Sequence, residues 1–209
     1  MDQNSINKIG RVVGPVVIHF FIINMVNMVG LHEDAAFLTT LAAIVALPIF
    51  LFWYREDSKF EAKRERKLPI CDILAIILLA ICANLILTMV MNQLQVFFSL
   101  PNDSQERLFA SNLATQIIGI GIIVPIMEEV LFRGLVYRRL MAYNDSWGSL
   151  LLAAAMFAVY HGNLVQIIFA FPMGMILIWV YRKWETLLAP VVFHITVNLS
   201  SVIMMAVFS

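Results

Sequence analysis

The sequence predicts an all-α, polytopic membrane protein with about seven transmembrane helices. Hydrophobic residues make up 61% of the 209 residues, and charged residues make up only 13%, whereas a soluble domain carries about 25% charged residues. The apolar residues also form blocks near the roughly 20 residues that a helix needs to span a bilayer. In addition, ionisable residues interrupt three of the later blocks, where they are costly and invite a functional interpretation.

The apolar blocks define the predicted spans. In chain order these are residues 12–29, 36–54, 70–91, 113–128, 148–161, 164–181 and 187–208. The first block lacks the small-residue cleavage site of a secretory signal, so we interpret it as a retained span. The fifth is short. We predict helices because the strands of membrane barrels are about ten residues long and alternate polar with apolar residues.

The basic residues concentrate in segments that a seven-span topology places on one side. They are Lys8, Arg11, Arg55, Lys59, Lys63, Arg64, Arg66, Lys67, Arg138, Arg139, Arg182 and Lys183, and the opposite side receives Arg107. An excess of Lys and Arg marks the cytoplasmic face. We therefore expect an integral, multi-pass protein with a cytoplasmic N-terminus and an external C-terminus.

We expect one integrated membrane domain with two parts. Residues 1–112 carry helices 1–3 and a cytoplasmic charged loop at 55–68, and residues 113–209 form a core of helices 4–7. The net charge is zero, so nothing suggests nucleic acid as a partner. The bilayer itself is the partner that the composition predicts.

The first polar motif is Met-Glu-Glu-Val-Leu-Phe-Arg at residues 127–133. Glu129 and Arg133 have the spacing and order of a favourable helical ion pair, which indicates a structural role. Glu128 points about 100° away from that pair and lacks a partner nearby in the sequence. A carboxyl group in an apolar site can act as a general base or acid, although both glutamates could instead mark the end of a span and face water.

The other two motifs place residue pairs four positions apart, on one helix face. In one, the Phe157 ring could form a wall beside the His161 imidazole, or His161 could be a packing residue. In the other, His194 and Asn198 could stabilise a developing oxyanion. They could also simply hydrogen-bond between membrane helices.

Depth connects the three motifs. If the fourth helix continues to Tyr143, Glu128 lies roughly 22 Å from its cytoplasmic end, and His161 lies roughly 20 Å from the start of its own helix. His194 and Asn198 lie roughly 11 and 17 Å from the start of theirs. The pattern therefore predicts an intramembrane active-site cavity that opens to the cytoplasm and supports hydrolysis.

Together, Glu128-Glu129-x-x-x-Arg133, Phe157-x-x-x-His161 and His194-x-x-x-Asn198 resemble the CPBP family of intramembrane proteases, also called the Abi or CAAX-protease family. The resemblance covers about residues 113–205 and implies an intramembrane endopeptidase acting on a membrane-associated peptide or protein. It implies that Glu128 activates the attacking water with help from His161, that His194 and Asn198 stabilise the oxyanion, and that Glu129 and Arg133 hold the helix. A bacterial plasma membrane is the expected location.

Metal dependence is a separate question. Glu128, His161 and His194 could bind Zn²⁺, which takes His and carboxylate ligands and keeps one position open in catalytic sites. Glu129 could then act as the base if it were not tied to Arg133. The sequence has no His-Glu-x-x-His helix, the strongest sign of a zinc protease, and we favour metal-free chemistry.

Two other functions fit the same residues less well. The chain could be a non-catalytic membrane protein, such as a bacteriocin-immunity or partner-binding protein that retains the protease fold. It could also conduct protons or a solute, because Glu and His chains occur in such pathways. The sequence lacks the paired halves of many transporters, which makes transport the weakest of the three hypotheses.

Overall fold

The computed structural model describes residues 3–29, 34–59, 66–100 and 110–208, and within these ranges the chain is helical with no strand. The helices are α1 (Gln3–Met28), α2 (Ala35–Ser58), α3 (Ile70–Phe98), α4 (Thr115–Tyr143), α5 (Trp147–Tyr160), α6 (Leu164–Trp184) and α7 (Leu188–Phe208). The predicted all-α membrane fold is confirmed. Every helix except α5 is long and apolar enough to cross a membrane.

Helix α5 is short, as the sequence predicts. Its 14 residues rise about 21 Å at 1.5 Å per residue, which is less than the roughly 30 Å of a hydrocarbon core. The helix ends in a turn at His161, where Gly162 adopts a positive φ of 77°. Asn163 then caps α6 by accepting a hydrogen bond from the Gln166 backbone N–H at 2.9 Å. The turn between α5 and α6 thereby satisfies its own polar backbone groups.

The predicted ends of several helices, α2 and α3 among them, fall short of the observed ones. We expected the second span to end at Tyr54 and the third at Met91, but α2 continues to Ser58 and α3 to Phe98. The predicted ends follow the limit of the apolar run. Backbone hydrogen bonding does not stop at the first polar residue, so each helix extends past that limit. The first part of the predicted charged loop at 55–68 is therefore helical.

Helix α4 lies at the centre of the bundle. In its most apolar stretch 61% of the residues are buried, the largest share of the six long helices. It contains two π-helical stretches, Thr115–Ile123 and Val130–Tyr137, on either side of a short α-helical segment at Val124–Glu129. A Cβ atom at Gly119 would overlap the Thr40 side chain of α2, so glycine at this position permits the close approach of α2 and α4.

Ion pairs join three helices at one end of the bundle. The Asp57 carboxylate at the end of α2 binds Arg11 Nη2 at 3.3 Å and Arg139 Nε at 2.6 Å. We refer to this end, defined by Arg11, Asp57 and Arg139, as the basic end. At the other end of α4, Ser111 Oγ donates to Asp34 Oδ2 at 2.6 Å. These contacts fit the predicted topology, in which successive helices cross the membrane in opposite directions. Lys63, Arg64 and Arg107 lie outside the described residues.

Candidate active site

The two adjacent glutamates of α4 are both buried but have different partners. Glu129 is fully buried and Glu128 is 6% exposed. Successive helical residues point about 100° apart, and the two carboxylates meet different ring nitrogens of His194. Glu129 Oε1 accepts hydrogen bonds from Arg133 Nη1 at 2.8 Å and from His194 Nδ1 at 2.7 Å. The ion pair expected from the spacing of Glu129 and Arg133 is present, and it also fixes α7 to α4 through His194.

Arg133 connects this ion pair to α5 and α6. Its Nη2 donates to the carbonyl oxygen of Gly174 at 3.3 Å, and its guanidinium carbon lies 4.3 Å from the centroid of the Phe157 ring. A Cβ at Gly174 would approach Phe157 Cδ1 to 3.0 Å. Glycine at this position therefore leaves room for the Phe157 ring under the guanidinium.

Phe157 contacts both histidines of the predicted site. Its ring centroid lies 4.9 Å from that of His161 and 5.9 Å from that of His194. Phe132 packs against the same ring at 5.2 Å. The ring is 2% exposed, so it forms an apolar wall between the two imidazoles.

His161 is held by the end of its own helix. Its Nδ1 lies 2.8 Å from the carbonyl oxygen of Phe157, and because a carbonyl only accepts, Nδ1 carries the proton. In the neutral ring Nε2 then presents a lone pair and can act as a base. Within the described residues His161 forms no hydrogen bond to Glu128, and its ring packs against Phe157 and Tyr160.

His194 lies between the two glutamates. Its Nδ1 donates to Glu129, and its Nε2 lies 3.7 Å from Glu128 Oε2. Two polar atoms at this separation can both lie about 2.8 Å from a single water oxygen, which is hydrogen-bonding distance. The arrangement can therefore place a water molecule between a carboxylate and an imidazole. The neutral form of His194 offers a lone pair to that water, and the protonated form offers an N–H.

Asn198 is held one turn further along α7. Its Nδ2 donates to the backbone carbonyl of Ile120 in the first π-helical stretch of α4, at 2.9 Å. An amide group has two N–H bonds, so one remains for another acceptor. The structure thus brings Glu128, Glu129, Arg133, Phe157 and His194 into one cluster. It places His161 beside them through the Phe157 ring and engages Asn198 partly with the α4 backbone.

Two residues near this cluster were not predicted from sequence. Tyr160 packs against Phe132 and His161, with ring centroids 5.1 and 5.8 Å apart, and its hydroxyl is hydrogen-bonded to Nδ1 of His19 on α1. The sequence offers His19 no polar partner four residues away on its own helix, so spacing alone predicts a structural role for it. The signal that could have found it is an ionisable residue in the middle of a membrane span.

The suggested zinc ligands do not form a metal-binding group. Among the described residues, no three His, Cys, Asp or Glu side chains are arranged to hold a metal ion, and all three suggested ligands, Glu128, His161 and His194, are among those described. His194 Nδ1 is hydrogen-bonded to Glu129, and Glu129 is paired with Arg133. The zinc alternative required a Glu129 that was not tied to Arg133, so that requirement is not met. We derive no step through a metal.

Comparison with known proteins gives one match. Residues 110–200, fewer than half of the chain, match the family described as Rce1-like, type II CAAX prenyl endopeptidase Rce1-like. No curated protein and no solved structure matches the chain. The matched segment contains all three motifs and every residue of the cluster described above. The matched family model is that of the CPBP (Abi) family of CAAX-type proteases, the family that the three motifs resemble.

Proposed function

We propose that this protein is an intramembrane endopeptidase that hydrolyses a peptide bond of a membrane-associated protein or peptide. The observation that carries the proposal is the buried Glu128 carboxylate, whose Oε2 lies 3.7 Å from His194 Nε2. A buried carboxylate beside an imidazole, inside a family of endopeptidases, is a suitable arrangement for activating water.

In the proposed reaction Glu128 takes a proton from water while the water oxygen attacks the carbonyl carbon of the scissile bond. His161, whose Nε2 presents a lone pair, assists the proton transfer. The carbonyl oxygen becomes an oxyanion, which accepts hydrogen bonds from protonated His194 and from the remaining N–H of Asn198. Collapse of this intermediate breaks the C–N bond, and the proton held by Glu128 passes to the leaving amine.

The remaining residues of the cluster support this chemistry without contacting the reacting atoms. Glu129 holds His194 through Nδ1 and thereby directs Nε2 towards Glu128. Arg133 balances the charge of Glu129 and binds the backbone of α6. Such partners fix the orientation of the groups that react, and a displacement of about 1 Å in such a site can cost about 100-fold in rate.

The test is cleavage of a prenylated peptide in a membrane. A farnesylated peptide that ends in a CAAX sequence is suitable because the matched family is one of CAAX prenyl endopeptidases. Purified protein in liposomes should release the C-terminal residues, detected by mass spectrometry. Glu128→Gln should lower kcat by about 10²- to 10⁴-fold, the usual contribution of general acid–base catalysis.

Glu56→Gln is the matched control, since it removes a partly exposed carboxylate that pairs with Lys59 at the basic end. It should retain the full rate. A folded Glu128→Gln protein that cleaves as fast as this control would overturn the proposed role of Glu128. Wild-type protein that cleaves nothing would favour a non-catalytic member of the family.

We also propose that the basic end faces the cytoplasm of a bacterial cell and that the N-terminus lies there. The support is the excess of Lys and Arg, of which Arg11 and Arg139 meet at Asp57. In a background without Cys71 and Cys82, Lys59→Cys should react with a membrane-impermeant maleimide only after permeabilisation, and Val29→Cys should react in intact cells. The reverse pattern would invert the topology.

A further inference from the structure

Helix α1 contacts the bundle through one narrow face. Its buried residues are Val12, Pro15 and His19, and the last of these is completely buried. An ionisable side chain within a membrane span is costly and usually has a specific partner. The partner of His19 therefore indicates what the contact of α1 with the bundle contributes.

The partner of His19 is the hydroxyl of Tyr160, bonded to its Nδ1. The ring of Tyr160 lies 5.5 Å from that of His19, and Phe50 of α2 packs against His19 at 6.0 Å. Tyr160 immediately precedes His161, so the bond joins α1 to the end of α5 that carries a predicted catalytic histidine.

Tyr160 is also close to the carboxylate proposed as the general base. Its ring packs against Phe132, with the ring centroids 5.1 Å apart, and Phe132 lies four residues after Glu128 on α4. This spacing places Phe132 and Glu128 on one face of the helix. Tyr160 thus lies between an imidazole from α1 and the face of α4 that carries Glu128.

The unpaired Nε2 of His19 favours one direction for the hydrogen bond between His19 and Tyr160. Among the described residues, Nε2 of His19 is buried without a hydrogen-bond partner. If Tyr160 donated to Nδ1, the neutral ring would leave an N–H at Nε2 buried and unpaired, which is unfavourable. Unpaired N–H groups are also rarer in proteins than under-satisfied acceptors. When Nδ1–H donates instead, the hydroxyl of Tyr160 keeps its own proton for another acceptor.

We propose that the Tyr160 hydroxyl donates a hydrogen bond to the Glu128 carboxylate during the reaction. His19 is then a positioning residue that orients this hydroxyl. The inference rests on the proposed function and adds α1, which lies outside the matched segment, to the active site. In this arrangement the Glu128 carboxylate is held from one side by Tyr160 while it takes the proton of water on the other. A catalytic role is thereby assigned to a contact between the N-terminal part of the chain and its core.

A purely structural pair would behave differently. Hydrogen bonds between membrane helices contribute little to stability on average, so breaking one would lower stability slightly and leave turnover of the folded protein unchanged. A positioning pair affects kcat, with little effect on KM, in protein that is fully folded. Its two members also act as one unit, so their effects do not multiply.

The experiment measures kcat and KM on the farnesylated CAAX peptide in liposomes, with each rate normalised to folded protein. Tyr160→Phe, which removes only the hydroxyl, should lower kcat by about 10- to 100-fold and leave KM within about twofold. His19→Leu should have the same effect, and the double variant should be no slower than either single variant. His19→Asn, which can place an N–H near the position of Nδ1, should recover most of the rate.

Tyr143→Phe is the matched control, because it makes the same change at the last residue of α4, roughly 22 Å along the helix from Glu128. It should retain the wild-type kcat. Wild-type cleavage together with full kcat in Tyr160→Phe and His19→Leu would overturn this inference and leave the proposed function intact. The inference would also be overturned if the losses of kcat multiplied in the double variant. A loss of rate that disappeared after normalisation to folded protein would overturn it as well. Wild-type protein that does not cleave the peptide would overturn both proposals.

Discussion

Helices α3 and α4 have the same length and opposite environments. Each contains 29 residues, but 17% of the most apolar stretch of α3 is buried, against 61% of that of α4. Both carry polar residues in the middle of the span. The buried polar residue among those described in α3 is Asn84, and the buried polar residues of α4 include Glu128, Glu129 and Arg133.

The polar contacts of the two helices differ in kind. Asn84 Nδ2 donates to the hydroxyls of Ser200 and Ser201 on α7, at 2.9 and 3.1 Å, and all three groups are neutral. The α4 residues are ionisable and meet side chains from α5 and α7 and backbone from α6. A polar residue in a span therefore does not define a site by itself. Convergence of charged groups from several helices, with one carboxylate outside the central ion pair, distinguishes the candidate site from interhelical packing.

The largest effect on stability is expected from Arg133→Met. The change leaves the fully buried Glu129 without its cationic partner, and breaking a buried ion pair in this way costs about 3–5 kcal/mol. Denaturation of the purified protein, followed by the midpoint and by the yield of monodisperse material, measures it. Adding Glu129→Gln should recover part of the loss, because it removes the unpaired charge.

Asn84→Leu is the control from α3. It removes the neutral hydrogen bonds of Asn84 to α7 and should cost only about 0.6–1.7 kcal/mol. Equal losses of stability in Asn84→Leu and Arg133→Met would remove the distinction between the two helices.

A smaller effect is expected from Gly174→Ala, which tests how firmly the Phe157 wall is held. The added methyl group would lie 3.0 Å from Phe157 Cδ1 and 3.4 Å from the backbone of Ala154. Phe157 is packed against Arg133 and both histidines, so the ring cannot move without displacing them. We expect a stability cost of about 1–3 kcal/mol and a loss of kcat of about 10-fold.

Gly148→Ala provides the comparison for this change. Its new methyl group would meet only Ser146 Oγ, at the ordinary contact distance of 3.6 Å. It should leave kcat and the denaturation midpoint close to those of the wild type. If Gly174→Ala were equally silent, the Phe157 ring would have more freedom than its contacts indicate.

The helices could be predicted well because apolar length and charge determine them. The short fifth span was expected. The end of α4 at Tyr143 agrees with the supposition behind the depth argument, since Asn144 and Asp145 follow that residue. The ion pairs of Asp57 with Arg11 and Arg139 were not predicted, because they join residues that are distant in the sequence.

The site was predictable where it depends on spacing within one helix. Four-residue intervals correctly paired Glu129 with Arg133 and placed Phe157 beside His161. Contacts between helices distant in sequence leave no such interval, and so the bond between His19 and Tyr160 could not be found. The bond from Asn198 to the Ile120 carbonyl was hidden for a related reason, because a backbone acceptor has no residue-type signature.

The two π-helical stretches of α4 make the orientation of its site residues depend on the number of residues in each stretch. A π-helical turn closes its hydrogen bond over five residues instead of four, so each stretch can lose a residue and remain helical. Such a loss would rotate everything beyond it by about 100°. A deletion between Glu129 and Arg133 would turn the guanidinium away from the carboxylate, although every other apolar residue of the helix remained. Homologues that share this site should therefore vary freely in the side chains of α4 that face lipid, and should align through Val130–Tyr137 without gaps.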